Sequence, residues 1–387
     1  MKVVYFSNPV FADCDFPLIK EMQKCGLNVR YYMPIGHKFS QKSIIELEKP
    51  ICRWGIYRAS KIKEMEKYKD CLDLDSLFFI YGINRIWWPF TWLLWICVYI
   101  HILFYKANVI HITWQLRGLE KILFYIPFIS NKVMTVHDPL QHSSTKDYVK
   151  QEKLRLSSFK WANSFILLNK QQVEAFAHTY CIERNRIFIS KLGIYDSIKY
   201  LNISGSNIQK QYILFFGQIF PYKGIEYLLD AMLKVNEKHK DIELIVAGSG
   251  DFYFDMSKYS NKEFIKILNR YIGITELVGL VKNCLFVVLP YKDATQSGVV
   301  QTAFALDIPI VATKVGALPD MVKNDVFGKI VPPCDTDALA TAIISLIENQ
   351  TELERLKRNI VTQYIPDMLW TPIVDDYVKV YKNNFRI

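Results

Sequence analysis

The sequence predicts an α/β protein made of two Rossmann-like, doubly wound halves, and three observations carry that expectation. The chain has 387 residues, too many for one ordinary domain and ample for two. Short runs rich in Val, Ile and Phe alternate with segments of helical period, the pattern of parallel strands joined by crossover helices. Several of those runs end in glycine-bearing turns that open onto a helix, as nucleotide-binding α/β folds require. Hydrophobic residues make up 51% of the chain and charged residues 22%, enough to fill two cores and too apolar for a disordered chain.

In the first half the spacing predicts strands at 3–6, 29–33, 109–113, 133–136, 165–168 and 187–190. A helix at 16–25 puts Leu18, Ile19, Met22 and Cys25 on one face. The polar stretch 201–211 has no apolar period and reads as the neighbourhood of a linker. Beyond it the alternation restarts: strand 212–216, helix 225–238, strand 242–247, helix near 276–282, strand 285–289, helix 299–306, strand 308–312. Helices at 335–348, 352–362 and 372–381 close the chain.

A net charge of +10 calls for an anionic partner. No nucleic-acid motif and no long Lys/Arg run is present, so nucleic acid is not expected; a phosphorylated substrate or an anionic membrane surface is. Eight cysteines lie without any C-x-x-C pair, as reduced core cysteines of a cytosolic protein would. The first residues read as a buried strand rather than a signal peptide, so a cytoplasmic location is expected.

One segment breaks the pattern. Residues 86–105 carry no formal charge and include Trp87, Trp88, Trp92 and Trp95. Three readings stay open: a helix half-sunk in a membrane surface, a buried crossover helix, and a spanning helix. The indoles favour the first, as does the basic stretch of Arg53, Arg58, Lys61, Lys63, Lys67 and Lys69, at the inner face of the plasma membrane.

The residues that point to chemistry lie in the second half. The run 215–224, FFGQIFPYKG, follows a strand and precedes a helix. Gly217 there lets a phosphate approach the backbone, and Lys223 supplies a point charge. Strand 285–289 leads into PYKDATQSGV at 290–299, where the N–H groups of Ser297, Gly298 and Val299 would stand at a helix N-terminus. Gly248 opens a third such turn, Gly248-Ser249-Gly250. Together they suggest a nucleotide-diphosphate site.

The second half resembles the donor domain of glycosyltransferase family 4, retaining enzymes of the two-Rossmann GT-B fold. The stretches that carry the resemblance are ILFFGQIFPYKGIEYLLDAM, IELIVAGSGD, LVKNCLFVVLPYKDATQSGVV, ALDIPIVATKVGALPDMV and GKIVPPCDTDALATAI, most of 212–344. In the first half it is thinner, chiefly VIHITWQ and VMTVHDP. The resemblance implies an acceptor domain at 1–195, a donor-nucleotide domain at 196–368 facing it across a cleft, and a final helix, 369–387, returning to the first domain.

It also implies site residues. Gly217 and Lys223 would bind the donor diphosphate, and Gln296, Ser297 and Gly298 would hold phosphates and sugar from the other side. His137 would face the donor sugar, with Gly248, Tyr271 and Val299 also on the donor side. Three departures stand out. Family members usually carry Arg where this chain has Gln218, and two Glu where it has Ala294 and Thr302; Asp293 could replace the first carboxylate and Thr302 could meet the ribose. Ser7-Asn8-Pro9 stands where a Gly-rich loop is usual. The implied activity is retaining hexosyl transfer from a nucleotide-diphosphate sugar to a glycan or polyprenyl-diphosphate-linked acceptor, in bacterial surface polysaccharide synthesis. Leaving-group charge would fall to Lys223 and backbone amides, with no metal ion or other cofactor. The departures keep a rival open: a non-catalytic subunit that binds a sugar nucleotide or glycan. A sugar-nucleotide epimerase on the same fold is a second rival.

Overall fold

The computed structural model describes residues 1–36, 44–47, 53–82, 88–127, 129, 131–139, 148–201, 210–294 and 297–383. They form two compact units: Met1–Gly193 together with Trp370–Ile387, and Ile194–Leu369.

The first unit is built on strands β1 (Lys2–Phe6), β2 (Asn28–Gly36), β3 (Gly55–Arg58), β4 (Leu77–Gly82), β5 (Val109–Ile112), β6 (Asn131–Val136), β7 (Ser164–Leu167) and β8 (Ile187–Ile189). Their order is β3-β4-β2-β1-β5-β6-β7-β8. Every pairing is parallel except β3 with β4. Helices α1 (Ala12–Lys24), α2 (Pro89–Tyr105), α3 (Tyr148–Trp161) and α4 (Val173–Tyr180) belong to this unit. The strands are apolar on both sides because helices cover a parallel sheet on both faces. Pairing runs outward from β1 through β2 to β4, then returns to β5 on the other side of β1. The loops after β1 and β5 therefore diverge at a switch point, where α/β sheets hold ligands.

The second unit repeats the plan with β9 (Tyr212–Phe216), β10 (Glu243–Ala247), β11 (Ile265–Leu268), β12 (Val287–Leu289), β13 (Ile310–Thr313) and β14 (Gly328–Val331). The order is β11-β10-β9-β12-β13-β14, all parallel, with the switch point between β9 and β12. Its helices are α5 (Ile225–Lys238), α6 (Ile274–Asn283), α7 (Gly298–Ala305), α8 (Leu318–Val322), α9 (Thr336–Glu348), α10 (Gln350–Asn359) and the short α11 (Ile365–Asp367).

The last helix, α12 (Trp370–Asn383), packs into the first unit. Its buried indole Trp370 fills the space beside Gly193, where a Cβ would lie 2.5 Å from the ring. Further along, Tyr381 shares a hydrogen bond of 2.5 Å with His111 Nδ1 and accepts one of 2.5 Å at its carbonyl from Asn131. The other ring nitrogen of His111 meets Thr135 Oγ1 at 2.8 Å. Burial holds His111 down to about 3, so it is neutral at pH 7 and burying it costs no charge desolvation.

The structure corrects the sequence reading in several places. Strands β3, β4, β11 and β14 were not expected. The linker stretch lies largely at 202–209, outside the described residues, and so does Trp87. The cysteines are not all core: Cys25, Cys97, Cys181 and Cys334 are exposed, while Cys14, Cys71 and Cys284 are buried. Among the described residues no helix is long and apolar enough to cross a membrane. Trp95 is a core residue packed against Phe6 at 6.2 Å between ring centroids, not an interfacial one.

Candidate active site

In the second unit, the turns at the carboxyl ends of β9, β10 and β12 converge at the switch point. Gly217 ends β9 with φ +124, a left-handed conformation that Gly adopts without strain. An added Cβ there would meet only Val299 Cγ2, at 3.9 Å, so the β9 turn lies against the start of α7. Gly248, after β10, has a different duty: a Cβ on it would fall 1.9 Å from the Gly217 carbonyl oxygen. Gly250 likewise gives way to Ile219, whose N–H bonds the Ser249 carbonyl at 3.0 Å. The Gly248–Gly250 turn thus seats the backbone of the β9 turn. Asn269 clamps that seat with paired hydrogen bonds to Gly250 of 3.1 and 2.9 Å.

Lys223 lies just ahead of α5 and donates to the Tyr291 hydroxyl at 2.6 Å, its ammonium 3.9 Å from the centroid of that ring. Tyr291 is buried, and its carbonyl accepts from Thr313 Oγ1 at 2.5 Å. Lys292, next in sequence, is neutralised by Glu226 at 2.9 Å. Lys223 has no ion pair among the described residues, and burial alone pulls it from the usual lysine range to about 7. Its contacts are thus phenolic, with Tyr291 and Tyr222, at the carboxyl edge of the sheet.

Helix α7 starts at Gly298 with Ser297 as its N-cap residue. The Ser297 side chain does not cap the helix: its buried Oγ makes no bond of full hydrogen-bond geometry among the described residues and interacts with the Tyr291 side chain, the same residue that Lys223 meets. At Gly298 a Cβ would come within 3.1 Å of the Tyr195 hydroxyl, a tight approach that the tyrosine side chain would have to relieve by a few tenths of an ångström. Thr302 sits one turn inside α7 and is buried; Tyr271 is half-buried before α6; Asp293 and Gln218 are exposed. Gln296 lies outside the described residues.

The first unit has its own constellation at its switch point. His137 ends β6 and stacks on Phe11 at 4.0 Å, the planes 10° apart, with its Nε2 buried and unpartnered. Burial pushes the imidazole down to about 4, so it is neutral. Phe11 in turn touches Trp114, at 5.9 Å, in the loop after β5. Trp114 lines a cavity of about 190 Å³ with Asn8, Trp95, Arg117 and Glu120. Glu120 is buried, accepts the Arg117 N–H at 2.8 Å, and is raised to about 7 by burial.

Sequence reasoning missed Tyr291 and Asn269, and in the first unit Phe11, Trp114, Arg117 and Glu120. Tyr291 stood inside a matched run, beside Lys292. Glu120 is the first acidic residue after Asp75, a spacing that singles it out.

A parallel sheet in the order 3-2-1-4-5-6, with glycine turns and a helix N-terminus at its switch point, defines a doubly wound Rossmann domain. Residues 196–362 match the family model described as glycosyl transferases group 1. The second unit is therefore a domain of that family, and the chain has the GT-B fold. An uncharacterized glycosyltransferase of Methanocaldococcus jannaschii is 28% identical over 190 residues, 48% of each chain. A capsular polysaccharide biosynthesis glycosyltransferase of Staphylococcus aureus is 23% identical over 264 residues, 58% of this chain and 68% of its own. Against the first relatives the match spans only about half of their length. Among solved structures, Anabaena HepE in complex with UDP and glucose superposes with a TM-score of 0.69 at 15% identity, over 99% of this chain and 100% of that one. Sucrose-phosphate synthase from Thermosynechococcus elongatus gives 0.68 at 15%, over 100% and 99%. At that identity the likeness is one of fold.

Proposed function

We propose that this protein is a retaining glycosyltransferase of the hexosyl type, taking its sugar from a nucleotide-diphosphate sugar held mainly by the second unit. The observation that carries the reading is that Lys223, without an ion pair among the described residues, and the buried Ser297 hydroxyl at the α7 N-terminus both meet Tyr291, in one unit and at one switch point. Complexes of HepE with UDP-glucose support a donor of this class. The acceptor we infer is a glycan or a polyprenyl-diphosphate-linked sugar in bacterial surface polysaccharide synthesis, as the capsular relative suggests. The protein would act in the cytoplasm at the inner face of the plasma membrane.

In this reading Lys223, Ser297 and the amides of Gly298 and Val299 bind the diphosphate, and Gly217 lets it approach the backbone. The bond from the anomeric carbon to the phosphate oxygen breaks as the acceptor oxygen attacks from the same face. The acceptor's hydroxyl proton passes to the departing diphosphate. Lys223 and the helix N-terminus stabilise the charge that develops, the usual dominant contribution to such catalysis. Neutral His137 offers its free nitrogen to the donor sugar. Gln296, Tyr271, Gly248 and Thr302 complete the donor side, and Asp293 is the carboxylate nearest in sequence. This scheme uses no metal ion.

The test is incubation with a panel of labelled nucleotide-diphosphate sugars, with and without lipid-linked acceptors, followed by NMR of the product's anomeric proton. Transfer with an unchanged anomeric configuration is expected. Saturable donor binding with neither transfer nor hydrolysis for any acceptor would mark the protein as a binding subunit, and inversion would remove the front-face scheme.

A further inference from the structure

Helix α2 has two apolar faces and the fold uses one. Leu94, Trp95, Val98, Ile102 and Tyr105 are buried in the core of the first unit. On the other side Phe90, Trp92, Leu93, Ile96, Ile100 and Phe104 are exposed over 43–79% of their surface. The spacing 93, 96, 100, 104 makes this one helical stripe rather than scattered residues. Phe90 extends it through ring contacts with Trp88 at 5.3 Å and with exposed Trp54 at 6.3 Å. At the far side Tyr125, 77% exposed, accepts at its carbonyl from Tyr99 Oη of α2 at 3.3 Å. A contiguous apolar patch of this kind calls for a covering surface.

Charge says which. No Asp or Glu occurs from Ser76 to Leu119. Cations gather at the C-terminal end of the stripe. Arg30 donates to the His101 carbonyl at 3.4 Å and lies 4.2 Å over the Tyr105 ring. Lys2 donates to the Tyr105 carbonyl at 3.4 Å, and Lys106 follows, exposed. Arg58 is partly answered by Asp75 at 3.9 Å, whereas Arg30, Lys2 and Lys106 form no ion pair among the described residues. A second copy docked across the stripe would cover its apolar side chains, but the same stretch of that copy, with no Asp or Glu from Ser76 to Leu119, would offer these cations no carboxylate. An apolar stripe with indoles at one end and cations at the other matches an acyl and headgroup boundary.

We propose that the exposed face of α2 lies in the plane of an anionic lipid bilayer, with Lys2, Arg30 and Lys106 against the headgroups. Leu94 and Trp95, on the inner face of the same helix, line the cavity that holds Trp114, Arg117 and Glu120. Docking would set that cavity about one helix diameter, ~10 Å, from lipid. The acceptor is then a lipid-anchored one whose polar head reaches the first unit. That last step rests on the glycosyl-transfer reading; the docking surface does not.

The experiment is co-sedimentation of the full chain with vesicles of phosphatidylcholine alone or mixed with phosphatidylglycerol, at low and high salt. Binding to the anionic vesicles is expected, with part of it resistant to salt. The combined substitution Trp92→Ser, Ile96→Ser, Ile100→Ser should lower the partition coefficient at least about tenfold, since each side chain loses an apolar burial. Lys106→Glu with Arg30→Gln should lower anionic binding and keep the weak salt-resistant part. Circular dichroism of each variant should match the parent, because Trp92, Ile96, Ile100 and Lys106 are exposed and half-buried Arg30 gives up one long hydrogen bond and ring contacts but no ion pair. Two results overturn the proposal: no binding to anionic vesicles at low salt, or a parent dimer in equilibrium sedimentation that the Ser substitutions dissolve while vesicles are ignored. Thermal shift with UDP, run on the same samples, reports the donor site separately, so failure of one reading leaves the other standing.

Discussion

Replacing Lys223 by Met removes one positive charge and keeps most of the side chain's volume. Its Nζ meets the Tyr291 hydroxyl and ring and lies 5.3 Å from the Tyr222 ring centroid, so the substitution breaks no ion pair among the described residues and relieves a buried charge. Folding should therefore be unharmed. A unit charge about 4 Å from a phosphate oxygen contributes about 4 kcal/mol at an effective dielectric of 20. Removing a single preorganised donor from a developing oxyanion costs about 3–4 kcal/mol in turnover. Lys223→Met should accordingly lower kcat/KM by roughly 10²–10³-fold. A pH signature accompanies it. With a pKa near 7 in the empty protein, Lys223 loses its charge as pH rises above neutrality. Binding of a diphosphate favours the charged form, so affinity is greatest below pH 7. It should fall by up to about tenfold per pH unit above that, with a proton taken up on binding. Stability runs the other way. Between pH 7 and the ordinary lysine value the unfolded chain holds the proton that the folded chain lacks, so the empty protein gains stability as pH rises through that window. Lys223→Met should flatten both curves. Calorimetric titration with UDP at several pH values, beside steady-state transfer assays, measures them. A variant within about threefold of parental turnover, with the same pH dependence of binding, would take Lys223 out of the site.

Further outcomes follow from other residues. Activity should survive excess EDTA, because leaving-group charge is assigned to Lys223 and amides; loss that Mg²⁺ or Mn²⁺ restores would point to an acidic site, with Asp293 the first suspect. His137→Ala should cost about tenfold to a hundredfold in kcat, about the value of one buried hydrogen bond to a substrate. Since burial holds this imidazole to about 4, the parent's rate should show no break near pH 6.5 from it; a break there that disappears in the variant would contradict a neutral His137. Gly248→Ala places a Cβ 1.9 Å from the Gly217 carbonyl and should lower Tm by several degrees while weakening UDP binding. Gly36→Ala, where nothing lies within 4 Å, is the control for stability.

The second unit was far more legible in the sequence than the first. Its strands β9 and β10 are five-residue, largely apolar runs that end at Gly217 and Gly248, and helix α5 occupies the range its 3.6-residue period indicated. Its missed strands have weaker patterns: β11 is a half-exposed sheet edge and β14 is four residues starting at a glycine. In the first unit β4, LFFIYG, is buried almost throughout, but the aromatic sequence around it conceals its boundaries. Its partner β3 is antiparallel and largely exposed, outside the β-helix-β rhythm. The apolar segment near residue 95 was ambiguous for a physical reason. A helix apolar all round has no period to tell a core face from an outer face, and only the packing of Leu94, Trp95 and Val98 separates them. The turns of the second unit were visible as glycines. What each glycine does was not, because the 1.9 Å approach of Gly248 to Gly217 is a contact between two loops.

The three departures from the family pattern can be weighed against the geometry of the second unit. Taken alone, Gln218 in place of Arg removes a cation and speaks for a binding subunit. The two absent carboxylates act in the opposite sense. At 294 the chain has a buried Ala whose carbonyl is pressed on Gly316, where a Cβ would lie 1.6 Å away. At 302 it has a buried Thr inside α7. One positive charge and two negative ones are gone, so the balance facing a diphosphate is no less positive than the family's. Lys223 is left without a carboxylate to compete for it, since Lys292 rather than Lys223 is paired with Glu226. A protein that had abandoned the leaving group would have no reason to keep a lysine whose burial pulls its pKa down to about 7 and whose hydrogen bond goes to a phenol rather than a carboxylate. That burial costs stability in the empty protein, a cost that a bound anion would offset. The departures therefore weigh on the sugar and ribose contacts, and hence on which donor is chosen, more than on the capacity to stabilise its departing diphosphate.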